Sequence, residues 1–176
     1  MSNKRILSAL LLIATALYTQ WLAQPNDRHN NPVVTATPQP APSGMIRISR
    51  VVDGDTIELE GGTRVRFIGI NTPETVDPRK AVECFGKEAS DYTKALLKDG
   101  LVVLKKDISD TDKYGRLLRY IYLPDGTFIN LKLVEDGYAY ANPYPPDIAH
   151  SKEFSAAQTA AREASRGLWA SCPVKK

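Results

Sequence analysis

The chain has 176 residues, 43% of them hydrophobic and 24% charged, with a formal net charge of +3. That length holds one globular domain and an appendage, and the near-average composition excludes both wholesale disorder and a polytopic membrane protein. Only two histidines (His29, His150) and two cysteines (Cys84, Cys172) are present. They cannot build a zinc finger, a His-rich metal site or a nuclease centre needing a histidine pair, so catalysis must rest on carboxylates, arginines, lysines, tyrosines or hydroxyls.

Residues 1–23 open with Lys4 and Arg5 before the apolar run Ile6–Leu17, the pattern of a secretory signal. Ala14-Thr15-Ala16 has a small-x-small form, and Ala23 is a second candidate cleavage point. The stretch Ile6–Ala23 also reaches across a thin bilayer, with Tyr18 and Trp21 at the interface. A cleaved signal peptide and a retained signal-anchor therefore both stay open. Either one exports everything downstream, to the periplasm, to the extracellular space or to the outer face of the cytoplasmic membrane, with membrane contact only through an uncleaved segment. Residues 24–44 are rich in Pro, Asn and Thr and read as a flexible linker, with His29 solvated in it. Beyond the linker stand 20 basic and 19 acidic residues, so a polyanion would have to be met by locally concentrated positive charge.

Residues 45–172 read as the folded domain and 173–176 as a tail. Met45–Val52 alternates as a strand with Ile46, Ile48 and Val51 on one face. Asp53-Gly54-Asp55 is a turn, Thr56–Glu60 a second strand and Gly61-Gly62 a hairpin connection. Thr63–Ile70 is a third strand, with Val65 and Phe67 opposite Arg64 and Arg66. Asn71–Phe85 reads as a polar loop carrying Pro73 and Pro78. Gly86–Asp99 is a helix, with Ala89, Tyr92, Thr93, Leu96 and Leu97 on its apolar face and Gly100 as its stop. Strands are expected at Leu101–Lys105 and Leu117–Leu123, then a short helix at Asn130–Asp136 and an amphipathic helix at Ser151–Arg166. The pattern is mainly β with helices (α+β). It predicts a five-stranded OB-fold barrel with two to three packed helices, a common architecture for oligonucleotide binding.

The chemistry concentrates in Asp53–Thr56 (DGDT) and Arg66–Glu74 (RFIGINTPE). Asp55, Asn71 and Thr72 offer hard oxygen donors that suit Ca²⁺ or Mg²⁺. Taken alone, DGD reads more simply as a turn bonded by its own side chains. Arg66 lies eight residues before Glu74 and needs an anionic partner or a use, and Asp112–Arg116 (DKYGR) supplies a second arginine with Lys113 and Tyr114 beside it. Two arginines, a glutamate and a hard cation are the set that hydrolyses a phosphodiester. The glutamate activates or orients water, and the cations stabilise charge at phosphorus.

The segments VVDGDTIEL, RVRFIGINTPET, FGKEAS, TDKYGRLLRYIY and the closing GLW together resemble the thermonuclease, or staphylococcal nuclease-like, family. The resemblance runs from about Arg50 to Trp169 with the motifs in family order. It implies an OB-fold nuclease that uses Ca²⁺ to cut DNA and RNA, leaving 3′-phosphorylated products. By position it implies Arg66, Glu74 and Arg116 as catalytic residues. It implies Asp55 and Thr72 as metal ligands, Thr72 through its carbonyl, and Lys113 and Tyr114 as phosphate contacts. The family's base-stacking tyrosine falls within Tyr138–Tyr144, and Tyr144 is preferred to Tyr140. Asn71 stands where the family usually has an aspartate, so the metal site loses one formal negative charge.

The reading is thus an exported, monomeric, metal-dependent nuclease acting on DNA or RNA. A non-catalytic oligonucleotide- or protein-binding module and an anchored envelope protein are its rivals. Neither rival explains a carboxylate kept beside two arginines. Export into an oxidising compartment makes a Cys84–Cys172 disulfide the default, against the alternative of two unrelated small apolar residues.

Overall fold

The structure is a computed structural model that describes residues 44–75 and 81–172. The expected leader (1–23), almost all of the linker, Pro78 and the tail lie outside the described residues. The described residues belong to one compact unit, Pro40–Lys176. None of their helices is long and apolar enough to cross a membrane.

Five strands close a barrel: β1 (Ile46–Asp53), β2 (Thr56–Leu59), β3 (Arg64–Phe67), β5 (Leu101–Lys105) and β6 (Leu117–Tyr122). Their order around the barrel is β1-β2-β3-β6-β5. Every pairing is antiparallel except β3 with β6, which run parallel with Val65 opposite Leu117 and Arg66 opposite Leu118. Three helices pack on the barrel: α1 (Gly86–Leu96), α2 (Ile129–Glu135) and α3 (Ser151–Glu163). A four-residue turn of helix, α4 (Leu168–Ser171), follows. The expected α+β barrel with packed helices is the fold observed.

Alternation explains the core. Ile57, Val65, Phe67, Val102 and Ile121 turn inward from successive strands. Ala89 and Thr93 bury one face of α1, with buried Leu97 just past its end, and Phe154 and Ala161 bury one face of α3. Asn130 is fully buried: its Nδ2 donates to Ile68 O at 2.9 Å and its Oδ1 accepts from Ile121 N at 2.9 Å. It satisfies two barrel backbone groups that would otherwise be unpaired in an apolar setting.

Three expectations need correction. Ile46, expected to share a face with Ile48 and Val51, is 39% exposed, whereas those two pack against the core. A register shift between Ile48 and Arg50 breaks the simple alternation of β1. The single strand expected over Thr63–Ile70 ends at Phe67. Gly69, at φ 77°, turns the chain, and Ile70–Asn71 forms a separate strand β4, paired with β7 (Tyr140–Ala141). The polar loop expected from Asn71 therefore begins one residue later. Helices α1 and α3 also stop three residues earlier than their patterns suggested.

Cys84 and Cys172 form a disulfide, Cα–Cα 5.9 Å, across a sequence separation of 88. Closing so long a loop contributes up to ~4–5 kcal/mol in the chain-entropy model.

Candidate active site

The β1–β2 turn carries two buried carboxylates. Asp53 Oδ1 accepts from Gly54 N (2.9 Å) and Thr75 Oγ1 (2.6 Å). Asp55 Oδ1 accepts from Thr56 Oγ1 (3.1 Å), and its Oδ2 accepts from Thr72 N (2.8 Å). Gly54 is required between them: a Cβ there would lie 2.7 Å from the Thr72 side chain. This close approach brings the β1–β2 turn against the segment that follows β4. Thr72 Oγ1, buried at the contact, has no hydrogen-bond partner among the described residues.

Arg66, projecting from β3 on the side opposite Val65 and Phe67, reaches this turn. Its Nη1 ion-pairs with Asp55 Oδ2 at 2.5 Å, and its Nη2 donates to Asn71 Oδ1 at 2.9 Å. Asn71 Nδ2 in turn donates to Thr72 O at 3.1 Å. Glu74 follows in an irregular segment, where its Oε1 accepts from Thr75 N at 3.0 Å. Arg116, just before β6, is held by Asp112, with Nε and Nη2 each 2.7 Å from Asp112 Oδ2, and its guanidinium lies over the Tyr114 ring at 5.6 Å. Asp112 Oδ1 accepts from the backbone N–H groups of Tyr114 and Arg116, closing the loop on itself.

These residues share one cavity of about 270 Å³, lined by Asp53, Asp55, Arg66, Asn71, Thr72, Glu74 and Arg116. Three carboxylates (Asp53, Asp55, Glu74) and three guanidiniums (Arg64, Arg66, Arg116) line it. Burial pushes the Asp53 carboxyl above its usual range. The Thr75 and Gly54 hydrogen bonds pull it down, and the charges of Asp55 and Glu74 push it up further. Burial also raises the Asp112 carboxyl, but the hydrogen bonds from Arg116 and from the loop backbone overcome that and leave it below its usual range.

A second cavity, about 510 Å³, shares Arg66 and Arg116 with the first and adds Lys113, Tyr114 and Tyr144. Tyr114 and Tyr144 are 71% and 79% exposed, and Lys113 Nζ and the Arg116 guanidinium lie over the Tyr114 ring at 5.0 and 5.6 Å. Tyr140 is elsewhere, in β7 and edge-on to Trp169 at 5.4 Å. Two loops frame this cavity, and buried Asp147 ties them by accepting from Ile108 N (3.0 Å) and Ser109 N (2.7 Å).

All nine residues singled out for metal, catalysis or substrate thus line one or other of two adjoining cavities. Asp53, Asp112 and Asp147 were not singled out, although each is part of the same surround. Asp112 had a legible signal, since an aspartate two residues before a turn commonly bonds that turn's backbone. Nothing in the sequence distinguished the burial of Asp53 or Asp147.

A hard divalent cation suits the donors in the smaller cavity, which are carboxylate, amide and carbonyl oxygens. Among the described residues no three acidic, His or Cys side chains converge as a ready-made cage. A cation here would therefore draw on the Asn71 amide, the Thr72 carbonyl and water as well as on Asp55. With two guanidiniums and the Glu74 carboxylate facing the same space, the arrangement can bind a phosphodiester, orient water and stabilise charge growing on phosphorus.

Several known proteins are similar to this chain. Residues 64–171 match the family described as staphylococcal nuclease homologue. The thermonuclease of Staphylococcus hyicus is 33% identical over 172 residues, covering 94% of this chain and 98% of that protein. The thermonuclease of Staphylococcus intermedius is 42% identical over 125 residues, 69% of this chain and 74% of that one. Endonuclease YhcR of Bacillus subtilis is 38% identical over 134 residues, 69% of this chain but 11% of that much longer protein.

Proposed function

The chain belongs to the staphylococcal nuclease family and is a nuclease, a phosphodiester hydrolase, and from that premise we propose that it is an exported Ca²⁺-dependent enzyme. It cuts DNA, and RNA as well, leaving 3′-phosphorylated products. The observation that carries this reading is the shared cavity, in which Glu74, Arg66 and Arg116 face the same oxygen donors. Asp55, Asn71 and Thr72 would hold the cation, Thr72 through its carbonyl. Bound Ca²⁺ supplies positive charge beside a non-bridging phosphate oxygen, with Mg²⁺ as the other hard cation the donors suit.

Glu74 orients the attacking water and accepts its proton. Arg66 and Arg116 stabilise the pentacoordinate phosphorus and the leaving oxygen, each as a forked donor suited to phosphate. Asp112 keeps Arg116 aimed at the cavity through its two 2.7 Å contacts. Lys113 and Tyr114 contact a neighbouring phosphate, and Tyr144 offers its exposed ring for a base to stack on.

Export is supported by Lys4 and Arg5 before the apolar run 6–17, and by the Cys84–Cys172 bond, which suits an oxidising compartment. The protein then works in the periplasm, outside the cell or on the outer face of the cytoplasmic membrane, as a monomer, since one chain supplies both cavities. The test is incubation of the full chain with plasmid, single-stranded DNA and RNA in Ca²⁺, Mg²⁺ or EDTA. Cleavage of DNA and RNA in Ca²⁺ and none in EDTA is expected. Cleavage untouched by EDTA overturns the metal dependence.

A further inference from the structure

Glu74 stands outside any strand, so no sheet ladder holds its backbone. What holds it is Glu83, nine residues on. The backbone N–H of Glu74 donates to Glu83 Oε2 at 3.2 Å, and the backbone N–H of Glu83 donates back to Glu74 O at 2.9 Å. The start of α1 presses on the same stretch. A Cβ on Gly86 would lie 2.7 Å from Thr75 Cγ2, 3.1 Å from Glu74 O and 3.2 Å from Pro73 O. Only glycine lets the helix approach so closely.

The residue after Glu83 is Cys84, bonded to Cys172 at the end of α4. α4 is itself seated: Leu168 is buried, and Trp169 meets the edge of Tyr140. Tyr140 sits opposite Asn71 in the β4–β7 pair. A closed circuit therefore runs from Asn71 through Tyr140, Trp169, Cys172, Cys84 and Glu83 to Glu74. One stretch of it is covalent and can be opened by reduction.

We propose that Glu83 is a positioning residue for Glu74, and that the Cys84–Cys172 bond keeps Glu83 seated, so that cleavage is sensitive to reduction of this disulfide. The proposal rests on the catalytic role given to Glu74. Displacing a catalytic group by about an ångström costs up to ~100-fold in rate, so the effect belongs in kcat and leaves substrate contacts, and hence KM, alone.

The experiment measures kcat and KM of the full chain on DNA in Ca²⁺, with folding followed by circular dichroism. Glu83→Ala is expected to lower kcat ~10–100-fold at unchanged KM. Glu83→Gln should stay near wild type, because its amide oxygen still accepts from Glu74 N–H. Full reduction by dithiothreitol should lower kcat of the wild type and add little to the loss in Glu83→Ala, since both act through one contact. Should Glu83→Ala not fold, reduction of the wild type carries the test alone. Wild-type kcat in folded Glu83→Ala, or in the fully reduced enzyme, overturns the proposal. Glu74→Gln is the control. If it remains fully active, the catalytic reading fails first; if it is inactive while Glu83→Ala is normal, the clamp alone fails.

Discussion

Arg66 and Arg116 reach the same cavity from two differently built regions. Arg66 rises from a barrel strand and meets Asp55 and Asn71 in a setting where Asp55 and Thr72 are almost wholly buried. Arg116 closes a loop whose shape is set by one side chain, Asp112, among exposed neighbours such as Ile108, Tyr114 and Tyr144. The first region is a fixed arrangement of charges, in which a buried ion pair left without one partner costs about 3–5 kcal/mol. The second is a rim of solvated rings and cations, in which each group can be removed with little disturbance to the barrel. The difference points to a division of labour, with bond breaking at the cavity that both arginines reach and grip on the polymer left to the exposed rings and Lys113 of the rim.

That division can be broken by mutation. Arg66→Ala, Glu74→Ala and Arg116→Ala should each lower kcat by at least ~10²–10³. Arg66→Ala should also lower thermal stability, because it strands the Asp55 carboxylate, whereas Glu74→Ala should not. Near-normal kcat in any two of the three ends the assignment. On the rim, Tyr144→Ala should weaken substrate by ~1–3 kcal/mol, seen as a raised KM at unchanged kcat, with Tyr144→Phe close to wild type. A fall in kcat without a change in KM would place Tyr144 in the chemistry and erase the contrast.

Two smaller effects sharpen it. Asn71→Asp adds a charged ligand where an amide stands and should lower the Ca²⁺ concentration for half-maximal cleavage by about severalfold. Superimposed calcium titrations would remove Asn71 from the metal site. For Asp112, a carboxyl depressed in the folded state contributes stability that is complete above its unfolded value near 3.8 and is lost as pH falls below it. Acid unfolding should therefore be steeper in the wild type than in Asp112→Asn over that range, and equal slopes would refute the coupling.

Much of this was legible beforehand, for reasons tied to particular residues. Strands β2, β5 and β6 fell within one residue of expectation, β2 from its alternation (TIEL) and β5 and β6 from short, mostly apolar runs (LVVLK, LLRYIY). Glycine pairs with positive φ, Gly61 at 94° and Gly62 at 87°, marked the hairpin as their sequence suggested. The β4–β7 pair was not legible, since two-residue strands have no period to read. Ile46 misled because a hydrophobic pattern does not show how far along a strand the core extends. In the site, the residues named from motifs do converge. Of their supports, Asp112 for Arg116 had a turn signal that went unused, and Glu83 for Glu74 was missed because a carboxylate that binds backbone nine residues away reads like any other surface acid.

The parallel pairing of β3 with β6 has a mechanical consequence. It is the one parallel seam in the barrel and closes the circle between the chain's early and late strands. Arg66 stands one residue beyond the Val65–Leu117 rung, and Arg116 one residue before it. The gap between the two guanidiniums is thus a gauge set by strand spacing, ~4.8 Å, and by register. A slip of one residue would send an arginine to the opposite face. Cleavage is then an early alarm for the seam: conditions that loosen it should silence the enzyme while helices α1 and α3 still report a folded protein.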